Sequence, residues 1–167
     1  MFHVYADDSQ FIKPTKHTPP SCQHEAAEGL ASGIREIECW MKNNKLKLNP
    51  TKTEFLIISS IQNRHQIEID SLNLGDTSIP ISENARNLGV IIDSTLNLEA
   101  HINKVCQTCY FYLYWIRKIR HCLTVEACKS IVQCLVITRL DYCNGVLVGL
   151  PKVRLDKLQR VMKSLRV

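Results

Sequence analysis

The chain has 167 residues, 45% hydrophobic and 22% charged, values that exclude wholesale disorder and leave enough apolar material for a packed core. Its formal net charge of +5 is unevenly spread: residues 1–116 hold 10 Lys/Arg against 13 Asp/Glu, whereas residues 117–167 hold 11 against 3. A basic last third of this kind points to a polyanionic partner. No run reaches the roughly 18 apolar residues of a membrane span, and the opening MFHVYADDSQ lacks the apolar stretch of a secretory leader. The expectation is an intracellular protein of the nucleus or cytoplasm, not secreted and with no membrane partner, whose thiols stay reduced.

In chain order, Phe2-His3-Val4-Tyr5 reads as a strand, Asp7-Asp8-Ser9 as a turn and Gln10-Phe11-Ile12 as the returning strand. That predicts a β-hairpin with carboxylates at its tip. A polar loop ending in Pro19-Pro20 follows. Residues 22–43 predict an amphipathic helix with Ser21 as its cap, because Ala26, Leu30, Ile34, Ile37 and Met41 recur every three or four positions. Asn43-Asn44 ends it. Strand-like pieces are predicted at Leu46, at Leu48 and at residues 54–58, around an Asn49-Pro50 turn. Further strands are predicted at residues 66–70, 77–81 and 87–93, with a turn at Gly75-Asp76.

Near residue 95 the period changes. Ile102, Val105, Cys109, Leu113 and Ile116 mark one long helix. Thr124 caps a second, and Pro151 opens a third with Leu155, Leu158, Met162 and Leu165 on one face. The fold class is thus α+β, with an α+β region over residues 1–95 and an all-α region over residues 96–167. Of the eight cysteines, Cys106 and Cys109 have metal-like spacing, with His121 and Cys122 further on. The pair falls in a helical pattern, where cysteine serves as a small apolar core residue. Zinc would need four converging ligands and is not expected. Tyr110, Tyr112, Tyr114 and Trp115 sit on or beside the apolar stripe of their helix, and most are expected to pack rather than stack on bases.

Adjacent carboxylates on a rigid hairpin tip suit a hard divalent cation, which prefers oxygen ligands. Taken alone, Asp7-Asp8 is an ordinary solvated turn. Its context separates it from that. An apolar strand leads into Tyr5-Ala6-Asp7-Asp8 and a second strand leaves it, a string similar to the metal-binding turn of reverse transcriptases. Downstream, residues 40–54 (WMKNNKLKLNPTKTE) look like the helix-to-strand segment that follows this turn in non-LTR retrotransposons. Asn87-Leu88-Gly89-Val90-Ile91-Ile92-Asp93 resembles their next strand. Leu140-Asp141-Tyr142-Cys143-Asn144 and Gly149-Leu150-Pro151 resemble a stretch of the thumb in jockey-like elements. The order is preserved over essentially the whole chain.

The resemblance implies the rear of a reverse-transcriptase palm over residues 1–95 and a thumb-like helical region over residues 96–167. It implies two-metal nucleotidyl transfer with Mg²⁺, deoxynucleotides, an RNA template and a DNA primer. Asp7 and Asp8 then match the metal carboxylates. Tyr5 and Ala6 match the lining of the nucleotide and primer site, Lys52 a lysine near the pyrophosphate that acts as general acid, and Asn87, Leu88 and Gly89 the primer-grip turn. Arg117, Lys118 and Arg120 would meet the nucleic-acid backbone. A further palm aspartate and the fingers would precede residue 1, so the chain alone is expected to be inactive. The rival reading is a non-catalytic relic that binds nucleic acid through its basic helices.

Overall fold

The computed structural model describes residues 1–5, 8–75 and 77–165. The chain divides into two compact units, Met1–Ala85 and Arg86–Val167. In the first unit, β1 (Phe2–Tyr5) and β2 (Asp8–Phe11) form an antiparallel hairpin in which Phe2 faces Phe11 and Tyr5 faces Asp8. Asp8 and Ser9, expected in the turn, lie in the strand because pairing runs on to the last residues before the tip. The Phe2 and Phe11 rings stack at 4.7 Å between centroids. Phe11 packs against a core of Ala31, Ile34, Leu72 and Ile79, so one aromatic side chain anchors the hairpin.

The first helix, α1 (Pro20–Asn43), begins one residue before the expected Ser21 cap. Proline at the first helical position has its φ preset and no N–H to satisfy, so the helix opens without a side-chain cap. Gln23 is buried in this helix. Its amide donates to the carbonyls of His17 and Gln66, both at 2.7 Å, and its oxygen accepts from the Glu68 N–H. One polar side chain thereby satisfies three backbone groups that would otherwise lose water unpaired.

The next sheet is also a hairpin, β3 (Ser71–Leu74) with β4 (Thr77–Pro80), in which Leu72 faces Ile79. The strand expected at residues 66–70 is instead the end of a 3-10 turn, Ile61–Gln66, followed by extended chain. Only two residues separate Leu74 from Thr77, so the residues flanking them must pair, and this register buries Leu72 and Ile79 together. The strand expected at residues 54–58 shrinks to a single bridge between Phe55 and Ile81, with the Ser82 N–H donating to the Phe55 carbonyl at 2.8 Å. Pro80 has no N–H with which to extend that ladder.

The division between units falls within β5 (Asn84–Asn87), which pairs with β6 (Val90–Asp93). The expected single strand at residues 87–93 is therefore interrupted by a turn. Leu88 and Gly89 both have positive φ, 45° and 86°, the backbone hand that a tight hairpin link requires. The strand β6 packs on α2 (Glu99–Ile119). This is why the compact unit starts earlier than the change of period at residue 95.

The core of the second unit lies along α2. Ile102, Cys106, Cys109, Leu113 and Ile116 are buried and meet Cys128, Val136 and Val161. The helical run that supplies Cys128 and Val136 comprises α3 (Val125–Val132), one π-helical turn at Gln133–Ile137 and α4 (Thr138–Asp141). The Thr124 hydroxyl accepts from the Ala127 N–H, as its capping position predicts. After Pro151, α5 (Lys152–Lys163) buries Val161 and leaves Met162 exposed. Leu158 and Leu165 of the expected stripe pack against this core, and two cations tie the helix to the start of α2: Arg154 donates to the Asn97 carbonyl at 2.8 Å, and Lys157 reaches Glu99 at 3.2 Å and Asn103 at 2.8 Å. Among the described residues no helix is long and apolar enough to cross a membrane.

The link from β6 into α2 is organised by one carboxylate. Asp93 Oδ1 accepts from the Thr95 N–H at 3.0 Å, the Thr95 hydroxyl at 2.7 Å and the Asn97 N–H at 2.9 Å, and Oδ2 accepts from the Leu98 N–H. These bonds hold Leu96 and Leu98 in left-handed backbone, φ 54° and 53°, at a cost of about 1–2 kcal/mol each. Partial burial works to raise the Asp93 pKa, but the hydrogen bonds from Asn97, Thr95 and Leu98 outweigh it and hold the carboxyl below its ordinary value. Asp93→Ala is expected to destabilise the chain by about 1–3 kcal/mol at pH 7, measured by urea unfolding. A lowered carboxylate pKa stabilises above the unfolded value and is lost as pH falls through the folded one. The gap between wild type and variant should therefore persist to pH ~4 and close below it.

Candidate functional site

The structure pairs two of the hairpin residues singled out by sequence. Tyr5 ends β1 and Asp8 begins β2, directly opposite one another. Both are exposed, Tyr5 by 68%. Ala6 and Asp7, the other two residues of the string, lie outside the described residues. Behind the tip, the ladder is closed by the Ile12 N–H donating to the Met1 carbonyl at 2.8 Å, and Phe11 ties the hairpin to α1. The Asp8 carboxylate is thus held on an anchored element and presented to solvent. Its oxygen chemistry fits a hard divalent cation.

Lys52 sits in a short 3-10 turn, Pro50–Lys52, capped by Asn49, whose side chain accepts from the Thr51 N–H at 3.1 Å and the Thr51 hydroxyl at 2.7 Å. The lysine is exposed. Among the described residues no hydrogen bond or ion pair joins it to Asp8. The structure therefore pairs Tyr5 with Asp8 and shows no bond from Lys52 to Asp8 among the described residues.

Asn87, Leu88 and Gly89 form the β5–β6 turn. The Asn87 amide oxygen is buried, with no hydrogen-bond partner among the described residues. Leu88 is 43% exposed, so its left-handed backbone is not offset by burial of its side chain. What holds it is distant in sequence: the Tyr142 hydroxyl donates to the Leu88 carbonyl at 2.6 Å. Tyr142 follows α4 in the Leu140-Asp141-Tyr142-Cys143-Asn144 stretch, and its N–H donates to the Thr138 carbonyl. A Cβ on Gly89 would lie 3.7 Å from the Tyr142 ring, ordinary contact. Gly89 is required for its φ and not for space.

Each of the three basic residues has an intramolecular partner. Arg117 donates to the Ser164 carbonyl at 2.9 Å, Arg120 to the Leu123 carbonyl at 3.1 Å, and the Lys118 ammonium lies 5.5 Å from the centre of the Tyr114 ring. Arg117 and Lys118 remain exposed and Arg120 half-buried. The cysteine pair is in the core: Cys109 is fully buried, with its thiol pushed up to about 11 by burial, and burial also raises Cys106.

Sequence reasoning did not single out Asp93 or the role of Tyr142. The first carried a local signal, an Asp-x-Thr-x-Asn string just before a helix, which is turn and capping chemistry. The second carried none, since its partner is 54 residues away.

No protein-family model matches the chain, and no solved structure matches it. The chain is similar to a curated Drosophila melanogaster protein, probable RNA-directed DNA polymerase from transposon BS, with 27% identity over 138 residues. The match covers 78% of this chain and 14% of that protein, so the chain spans about a seventh of the length of the curated relative it matches. This homology supports the reverse-transcriptase resemblance read from the residues.

The turn itself is testable without any activity. Gly89→Ala is expected to lower stability by about 1–2 kcal/mol through its positive φ. Tyr142→Phe should leave the fold intact and raise amide hydrogen exchange in residues 88–91 by about tenfold, the equivalent of one lost hydrogen bond. Unchanged exchange in that segment would show that the hydroxyl does not hold the turn.

Proposed function

Starting from common origin with a transposon-encoded polymerase, we propose that this chain works as part of a non-LTR retrotransposon reverse transcriptase. Residues 1–95 serve as the catalytic-turn end of the palm and residues 96–167 as a thumb-like helical region. The observation that carries the reading is the similarity to that polymerase over 78% of this chain, and beside it stands Asp8, exposed opposite Tyr5 on a hairpin anchored through Phe11.

In this reading Asp7 and Asp8 hold Mg²⁺. When bound, the cation supplies Lewis-acid activation of a primer 3′-hydroxyl and neutralises charge on the pyrophosphate that leaves. The chain's own residues do the rest. Tyr5 presents a half-polar ring beside Asp8, where a primer end or nucleotide would lie. Lys52 carries the proton passed to pyrophosphate, an assignment that rests on the resemblance of residues 40–54. The Asn87-Leu88-Gly89 turn receives the primer strand, and its backbone is held in one conformation by Tyr142. Arg117, Lys118 and Arg120 meet phosphates of an RNA template and DNA primer. Among the described residues their partners are carbonyls and a ring, with no carboxylate paired to them.

Since the chain covers 14% of its relative, activity is proposed for a polymerase carrying this segment, and the 167 residues by themselves are expected to extend no primer. In such a polymerase, Asp7→Ala should lower Mg²⁺-dependent primer extension by about a hundredfold or more. That loss corresponds to several kcal/mol of charge stabilisation at ~1.4 kcal/mol per tenfold. Asp8→Ala should cost less. Near wild-type extension by Asp7→Ala would remove the metal role from the hairpin.

A further inference from the structure

The outward face of α2 carries a surface that the polymerase reading uses only at Lys118. Lys104, Gln107, Phe111, Tyr114 and Lys118 succeed one another at steps of three and four residues, which places them on one side of the helix. Tyr110 and Trp115 flank this row. All are exposed, and the four aromatic side chains are 43–58% open to solvent. Tyr110, Tyr114 and Trp115 therefore do not pack as their place beside the apolar stripe suggests. The stripe is narrow, and Ile102, Cys106, Cys109, Leu113 and Ile116 fill it.

The rings form a connected array. Phe111 and Trp115 meet edge to face at 6.3 Å, Tyr114 and Trp115 at 5.5 Å, and Lys118 stands over Tyr114. Exposed apolar surface concentrated in one patch marks a place where something binds. Charge indicates what. Residues 100–125 contain Lys104, Arg117, Lys118 and Arg120 and not one aspartate or glutamate. A surface of π faces interleaved with unopposed cations matches a polyanion whose repeating units are themselves flat and aromatic. Lys104 and Lys118 lie about 21 Å apart along the helix axis, at 1.5 Å per residue, so the row can follow a strand of several nucleotides.

We propose that this face of α2 binds single-stranded nucleic acid. Unpaired bases stack on Phe111, Tyr114 and Trp115, and Lys104 and Lys118 hold the flanking phosphates. The site differs from the phosphate contacts assigned above because it requires unpaired bases, and it needs no catalysis. Stacking accepts any base, so the site takes single-stranded RNA or DNA with little sequence preference.

The test uses the 167-residue chain with Trp40→Phe, which leaves Trp115 as the sole tryptophan. Oligo(dT) and oligo(U) are titrated while Trp115 fluorescence is followed, beside an abasic oligodeoxynucleotide of equal length and a blunt duplex. Quenching by both single strands is expected, with the abasic strand and the duplex at least about tenfold weaker. Tyr114→Ala and Phe111→Ala should each weaken oligo(dT) by roughly tenfold at an unchanged salt dependence. Lys118→Gln should flatten the salt dependence. All three positions are exposed, so thermal melts of the variants should match the parent. Equal affinity for the abasic strand would reduce the site to phosphate attraction and overturn the proposal. So would absence of binding, with or without self-association in sedimentation, which would identify the face as a protein interface. The two readings fail separately. A polymerase carrying this segment that extends primers while the α2 face binds no single strand refutes only this inference. Binding by the 167-residue chain, beside a polymerase carrying this segment whose extension is unaffected by Asp7→Ala, refutes only the polymerase reading.

Discussion

The apolar stripe on α2 is the constraint on which the second unit rests. Leu113 is 1% exposed and Cys109 is fully buried, and α3, α5 and β6 all pack against this one helix. Truncating a residue such as Leu113 removes transfer free energy and leaves a cavity, together about 2–5 kcal/mol. The stripe also fixes what faces outward. Once Ile102, Cys109 and Leu113 are committed to the core, 3.6-residue geometry leaves Phe111, Tyr114 and Lys118 no choice but solvent or a partner. Packing on one side of the helix thus creates the chemical character of the other.

A second feature runs through the same unit: left-handed residues that are not glycine. Leu88, Leu96, Leu98 and Cys143 all have positive φ. At the first three a polar group from outside the local backbone pattern is at hand. Tyr142 bonds the Leu88 carbonyl, and Asp93 takes the N–H groups around Leu96 and Leu98. Strained backbone persists where its surroundings over-determine it, and such places often serve function. The β5–β6 turn fits that description, and it is also the turn to which the resemblance assigns the primer grip. The strain at Leu88 and the resemblance are independent observations that fall on the same turn.

Much of the helical architecture was legible in the sequence, for physical reasons that can be named. The helices α1 and α2 are long enough for their 3.6-residue period to dominate, Thr124 offers its hydroxyl to its own helix, and Pro151 stands where only a helix start accepts it. The strands were less legible because strand identity depends on a partner. Ile67 and Ile69 alternate as a strand should, yet the shortness of the chain between Leu74 and Thr77, where Asp76 of the expected turn lies outside the described residues, gives the pairing to residues 71–74. Gln23 reads as a surface residue until the carbonyls it satisfies are known. On α5 the leucine stripe was legible at Leu158 and Leu165, whereas Arg154 and Lys157, which look like solvated cations, pair with the start of α2. Of the candidate site, the carboxylate string was visible in four residues, whereas the hydroxyl that holds Leu88 was invisible at a separation of 54 positions.

These parts are what the proposed polymerase reading rests on. An anchored hairpin presents Asp8 beside Tyr5, Tyr142 constrains the β5–β6 turn, and a helical unit exposes cations and π faces. The picture depends most on the hairpin carboxylates holding a metal. The most direct measurement is a metal switch in a polymerase carrying this segment. With Asp7→Cys, a thiolate replaces a hard oxygen ligand, and thiolates favour softer ions over Mg²⁺. Primer extension should be lost with Mg²⁺ and partly restored by Mn²⁺ or Cd²⁺, while wild type keeps its preference for Mg²⁺. Equal activity of the variant with Mg²⁺, or equal failure with every cation while a serine at the same position stays active, would contradict metal binding at the hairpin.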